Sequence, residues 1–286
     1  MILVFGRTGQ VARELERLSE ASGLSLVFLS RAEADLANPS VCASSIETMR
    51  PSAVINAAAW TAVDAAESDE ATASIVNGEA PGAMARACAR RSIPFMHISS
   101  DYVFDGSWDS LWAPSDPPAP LGAYGRSKWL GEQKVVESGA HAVVLRTSWV
   151  FSAHGANFVK TMLRLGAERE ALSVVDDQIG GPTSAASIAR ALLKICDALR
   201  AGQGGGIFHF AGAPFVSWAG FAQEIMAQAK LPCAIEPIPS SAYPTVAPRP
   251  LNSRLDCSAT ERAFSLPQPS WQADLAEVLS ELGFPA

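Results

Sequence analysis

The first dozen residues constrain this chain more than any other stretch. Met1 to Phe5 is a short apolar run, and Gly6-Arg7-Thr8-Gly9-Gln10-Val11-Ala12 follows it directly. An apolar run, two glycines and then an amphipathic segment read as strand, tight turn and helix. Gly6 and Gly9 let the backbone turn sharply and let its N–H groups approach a pyrophosphate. The N-terminus of the following helix adds partial positive charge. Ala12 keeps the third position small enough for close helix–strand packing. The cofactor candidates in this turn are Gly6, Arg7, Thr8, Gly9, Gln10 and Val11.

The pattern continues along the chain. Ser25 to Leu29, Ala53 to Asn56, Pro94 to Ser99 and Ala142 to Arg146 read as further strands. Helical stretches separate them: Gln10 to Ser19, Ser40 to Met49, about Asp69 to Arg91, and one starting near Ala123. Strands alternating with helices imply parallel βαβ units. The fold class is therefore α/β: a Rossmann-type doubly wound parallel sheet with a smaller C-terminal substrate-binding α/β domain. Strands at Leu172 to Val175 and Ile207 to Phe210 and helices at Ser184 to Leu199 and Trp218 to Gln228 complete the reading. The expected division is 1–150, with part of 176–213, for the dinucleotide, and 151–175 with 214–286 for the substrate. Pro239 to Arg254 is polar and broken by prolines, as a binding loop would be.

Composition narrows the function. A net charge of −7 argues against a general nucleic-acid binder, whose footprint would be basic. No apolar run is long enough to span a membrane, and the first apolar run is too short for a signal peptide, so the cytoplasm is expected. The five cysteines and four histidines are scattered without metal-ligand or disulfide spacing, so no metal site is expected.

An NAD site usually carries an acid at the end of the second strand. Here that region reads Leu29-Ser30-Arg31, and Ser30 and Arg31 suit a 2′-phosphate better. NADPH is expected over NADH, which stays possible. Asp35, followed by Leu36, could reach the adenine amino group. Ala57, Ala58 and Ala59 end the third strand and leave room for a cofactor at the sheet's C-terminal edge. Ser100 and Asp101 end the fourth strand on that same edge.

Tyr124 and Lys128 are four residues apart, on one face of a helix. To exchange a proton near neutral pH, a phenol must titrate about three units below its usual value, roughly 4 kcal/mol. One cation supplies about one to three units. A positively charged nicotinamide would have to supply the rest. Ser100, Tyr124 and Lys128 are thus the catalytic candidates.

These stretches resemble the extended short-chain dehydrogenase/reductase superfamily and, within it, the dTDP-4-dehydrorhamnose reductases. The resemblance runs from the Gly6 turn through Asn56–Glu67, Ser99–Gly106 and Tyr124–Lys128. It continues through Arg146–Phe151, Asn157-Phe158, Asp177–Thr183 and Arg249–Leu255. It implies reduction of the 4-keto group of a dTDP-linked keto-deoxy sugar. Tyr124 would donate the proton, Lys128 would hold the nicotinamide ribose, and Ser100 would orient the carbonyl. It further implies substrate contacts for Asp101 and Trp149, with Val63 and Tyr102 beside them and Arg249 on the diphosphate. A monomer or homodimer is expected.

The chain departs from the family at three points. Trp60 stands where many members carry a smaller or polar ring, and Ser100 stands in place of Thr. The family's Mg²⁺-linked dimer draws acids from two segments. Glu14 matches the first, but Ser184-Ala185-Ala186-Ser187 offers no acid, so a Mg²⁺ bridge is not expected. Two other functions compete: a reductase of another nucleotide-linked 4-keto-6-deoxy sugar, and a non-catalytic NADP-binding subunit like the methionine adenosyltransferase β-subunit. Arg31 disfavours a third, an epimerase that recycles NAD.

Overall fold

The computed structural model describes residues 1–284. Five strands alternate with helices in its first half: β1 (Ile2–Phe5), β2 (Leu26–Leu29), β3 (Ala53–Asn56), β4 (Phe95–Ser100) and β5 (Ala142–Thr147). Between them lie α1 (Gln10–Ser22), α2 (Pro39–Met49), α3 (Val63–Ser68), α4 (Glu70–Ser74), α5 (Ala80–Arg91) and α6 (Ala123–Glu137). One π-helical turn, Ile75–Glu79, joins α4 to α5, so the long helix expected over 69–91 is one path with a widened middle.

The second half adds short strands and five helices. The strands are β6 (Val150–Phe151), β7 (Ala171–Val175), β8 (Ile179–Gly180), β9 (Thr183–Ser184), β10 (Gly206–His209), β11 (Val216–Ser217), β12 (Ala234–Ile238) and β13 (Asn252–Ser253). The helices are α7 (Phe158–Glu168), α8 (Ala185–Arg200), α9 (Trp218–Ala229), α10 (Ser258–Phe264) and α11 (Trp271–Glu281). Asn157, Ser184, Ser217 and Ser270 each cap a helix start with a side-chain oxygen, which satisfies an otherwise orphaned N–H.

The main sheet is parallel throughout, in the order β10-β5-β4-β3-β1-β2. The strand order reverses between β1 and β3, and a ligand crevice opens at such a switch point, beyond the strands' C-terminal ends. Helices cover both faces, so the inner strands read as continuous apolar runs. Side chains alternate between the faces: Ile2, Val4 and Ile55 pack with Val11, Leu15 and the apolar face of α8. Leu3, Phe5 and Val54 pack on the other face with α2 and α5.

A separate core gathers Phe151, Leu163, Phe221, Ile225, Trp271 and Leu275. Its elements are α7, α9, α11 and the parallel pair β7–β12. Phe264 of α10, though late in the chain, packs into the first core. The 239–254 stretch, expected as an irregular loop, carries one 3-10 turn at Ser240–Ala242 and then β13, which pairs with β8. No helix among the described residues is long and apolar enough to cross a membrane.

Candidate active site

The glycine turn lies at the switch point. Gly6 adopts φ +101°, a conformation open to glycine, and a Cβ there would come within 3.3 Å of Ala57 and Ala58. The turn therefore rests on the tip of β3, and α1 begins at Gln10 with its N-terminus facing the crevice edge. Ala12 is fully buried and Val11 nearly so, as close helix–strand packing requires. Arg7 and Thr8 are exposed, and Ala59 is the most open of the three alanines. The Gln10 side chain is held by the 152–157 segment. Its Oε1 accepts from Ser152 Oγ and Asn157 Nδ2, both at 2.8 Å, which ties the turn to the second core.

The tip of β2 differs from the expectation. An acid does reach it: Glu33 Oε2 accepts from Ser30 N at 2.8 Å and from Ser30 Oγ at 2.7 Å. Ser30 is one of the two residues assigned above to a 2′-phosphate, the other being Arg31. The Ser30 bonds hold the Glu33 carboxyl below its usual range. Ser30-Arg31-Ala32-Glu33 is a Ser-x-x-Glu pattern, legible from sequence, in which the glutamate reaches back to the serine N–H. Arg31 points outward and pairs with Asp35 at 3.5 Å. Asp35 Oδ1 also accepts from Ala37 N at 3.0 Å, so it stabilises its own turn, and Leu36 is buried in the core.

Ser100, Asp101, Tyr102, Tyr124 and Lys128 do converge. Ser100 and Asp101 are buried at the tip of β4, and the Tyr102 and Tyr124 rings meet edge to face at 5.4 Å. Burial pushes the Tyr124 phenol up to about 12, although the Ser100 hydroxyl favours the tyrosinate. Burial brings Lys128 down to about 8, partly opposed by Glu132. The Lys128 ammonium donates to the Ile98 carbonyl at 2.7 Å. The Ser100 hydroxyl alone does not offset burial, and the phenol needs nearby positive charge to titrate near neutrality.

Asp101 is held differently. Burial pushes its carboxyl up to about 6, against the pull of the nearby Ser253 and Ser100 hydroxyls. Its Oδ2 is buried without a hydrogen-bond partner, an acceptor that a substrate hydroxyl would satisfy. Ser253 lies on β13, and β13 pairs with β8, whose Gly180 touches Trp149. The 3-stranded sheet thus brings Asp101 and Trp149 to one cleft. Trp149 has φ +49°, rare for a bulky side chain, and its ring stacks on Trp218.

Sequence reasoning missed Trp218, Ser253 and Asp64. Asp64 Oδ2 pairs with Arg249 at 2.9 Å and Oδ1 accepts from Ala247 N at 3.0 Å, which fastens the 243–251 loop beside Val63. The Arg249 guanidinium lies 6.0 Å from the centre of the Tyr102 ring. Trp60 donates Nε1–H to Ala62 O at 3.0 Å and packs with Tyr124 against Ala66, Ala73 and Ala123.

Glu14, His154 and Glu281 offer ligand atoms within 4.8 Å of one another. Glu281 comes from α11, a segment not considered for metal binding from sequence. Glu14 and Glu281 are the one or two carboxylates that an octahedral Mg²⁺ site with bound water takes, but both are engaged here. A cation already serves both carboxylates: Arg17 pairs with Glu14 at 2.8 Å and with Glu281. The third member is an imidazole, 3.4 Å from Glu14.

A doubly wound sheet with a glycine turn at its switch point and a Ser–Tyr–Lys constellation at the next strand tips defines a nicotinamide-dependent oxidoreductase of the short-chain type. Comparison with known proteins narrows this. The family model described as RmlD substrate binding domain matches residues 1–284. A Burkholderia thailandensis dTDP-4-dehydrorhamnose reductase is 46% identical over 284 residues, 95% of each chain. The Escherichia coli enzyme of that name is 38% identical over 98% of this chain and 97% of its own. The crystal structure of a Clostridium acetobutylicum dTDP-4-dehydrorhamnose reductase superposes with TM-score 0.93 at 31% identity, covering 99% of both chains. A Bacillus anthracis dTDP-4-dehydrorhamnose reductase in complex with NADP superposes with TM-score 0.90 at 31% identity, covering 98% of both. The chain belongs to the dTDP-4-dehydrorhamnose reductase family.

Proposed function

We propose that this protein reduces the 4-keto group of dTDP-4-dehydro-β-L-rhamnose with NADPH, giving dTDP-β-L-rhamnose, in the cytoplasm. The observation that carries the reading is the convergence of Ser100, Tyr124 and Lys128 beside the Gly6 turn. Family membership over nearly the whole chain supports it. Residues 1–150, with α8 and β10, form the cofactor half; 151–175 and 214–286 supply most of the sugar-nucleotide half.

Bound NADPH supplies a hydride to the sugar's C4. Tyr124 gives its phenolic proton to the C4 oxygen, and the Ser100 hydroxyl orients that oxygen. Lys128 would hold the nicotinamide ribose and, with its charge, favour the tyrosinate left behind. Asp101 accepts a sugar hydroxyl on its unpaired oxygen, Trp149 walls the sugar, and Arg249 binds the diphosphate, for which a planar guanidinium is suited.

The test is loss of NADPH absorbance with the keto-sugar made in place from dTDP-glucose by a dehydratase and a 3,5-epimerase. Oxidation that requires the epimerase and disappears in Tyr124→Phe is the expected result. Oxidation without the epimerase would point to another 4-keto-6-deoxy sugar. No oxidation by folded, NADPH-binding protein would favour a non-catalytic role.

A further inference from the structure

Behind the cleft lies an ion pair that the steps above do not use. Glu132 is 2% exposed and Arg146 is 1% exposed. Arg146 Nε and Nη2 donate to the two Glu132 oxygens at 2.9 and 2.6 Å, a bidentate pair. Ser99 Oγ donates to Glu132 Oε1 at 2.5 Å. Arg146 Nη1 reaches Pro114 O and His209 Nε2, both at 3.3 Å, and its guanidinium lies 4.9 Å from the centre of the Phe104 ring. Burial and this guanidinium keep His209 neutral, with its pKa lowered to about 3, so Arg146 has one charged partner here, Glu132.

Burying such a pair seldom stabilises a fold beyond what apolar residues of equal volume would do, because both ions lose their water. What the pair does fix is geometry, since two parallel bonds set distance and orientation together. Each member stands next to a site residue. Ser99 precedes Ser100, Glu132 follows Lys128 by one helical turn, and Arg146 is three residues before Trp149. Ser99 and Arg146 are also directly paired in the β4–β5 register. The network therefore ties α6 to the tips of the two strands that present Ser100 and lead to Trp149.

We infer that Glu132 and Arg146 are positioning residues, whose ion pair holds α6 against β4 and β5 so that Tyr124 and Lys128 face Ser100. This rests on the reductase reading. Removing one partner alone leaves a buried unpaired charge and endangers folding. The informative variant replaces both, Glu132→Leu with Arg146→Met. It is expected to melt no lower than wild type and to bind NADPH no more than severalfold more weakly, because Lys128 is one cofactor contact and the Gly6 turn lies outside α6. Its kcat should fall at least tenfold, because displacement of about 1 Å at a reacting group is worth up to a hundredfold. Wild-type kcat in the folded double variant would overturn the inference. Should that variant not fold, Ser99→Ala and Arg146→Lys decide. A loss of kcat larger than the loss of NADPH affinity supports positioning; altered melting with unchanged kcat refutes it. Wild-type turnover in the same assay separates failure of this inference from failure of the reductase reading.

Discussion

Trp149 lies flat on Trp218, with ring centroids 3.6 Å apart and planes within 10°. The Trp149 ring also abuts Gly180, where a Cβ would come to 2.6 Å from the indole. Both neighbours restrict the ring of a residue whose positive φ costs of order 1–3 kcal/mol. Gly180→Ala is expected to push the Trp149 ring out of place. The KM for the sugar nucleotide should then rise about tenfold with NADPH affinity unchanged. Trp218→Phe should keep most of the wall. Steady-state kinetics with either substrate varied would check both, and an unchanged KM in Gly180→Ala would remove Trp149 from the sugar site.

Asp101 makes a stability prediction with a definite sign. Its folded pKa is about 6 against 3.8 unfolded, so between those values the native state binds more protons than the unfolded chain. Stability from this group is present at low pH and falls as pH rises through that window. Asp101→Asn should therefore stabilise the protein at neutral pH by up to about 3 kcal/mol, and the gain should vanish below pH 4. Activity should fall at the same time. Thermal melts of both proteins across that pH range test the sign.

Lys128 sets an alkaline limit. Burial lowers it to about 8, so the free enzyme loses this charge as pH rises past that point. kcat/KM for NADPH should decline above pH 8, because that ratio reports groups of the free enzyme. A profile flat well into the alkaline range would show that the ammonium is not required.

Glu33 occupies the Ser30 donors, so it competes with a 2′-phosphate both for those bonds and by charge. Glu33→Ala is expected to shift the NADPH-to-NADH ratio of kcat/KM toward NADPH by about tenfold. The same ratio in wild type and variant would place the 2′-phosphate elsewhere.

Asp64 holds Arg249 and the backbone at Ala247 together. Asp64→Asn should raise the KM for the sugar nucleotide by no more than about fivefold, since the pair is partly exposed. Arg249→Ala should cost more. A lower KM in Asp64→Asn would mean instead that the aspartate competes with the diphosphate.

Much of this site was legible in the sequence because its signals are short-range. The Gly6 turn, the small residues after β3, Ser100-Asp101, and Tyr124 with Lys128 are all local patterns set by backbone conformation and helical spacing. Glu33 is legible too, as a Ser-x-x-Glu pattern that brings its carboxylate to the Ser30 N–H. Glu281 was not legible, because only the packing of α11 brings it beside Arg17 and Glu14, far away in sequence.

The sequence by itself determined the alternating elements, the crevice at the glycine turn and the residue types that can move a proton and a hydride. Those follow from apolar periodicity and from what glycine, tyrosine and lysine can do wherever they stand. Only the tertiary structure decided that Arg249 faces Asp64, that Trp149 rests on Trp218, and that Glu132 meets Arg146. It also decided the direction of the pKa shifts of Asp101, Tyr124 and Lys128, because burial depends on how distant segments pack, and no local pattern encodes that packing.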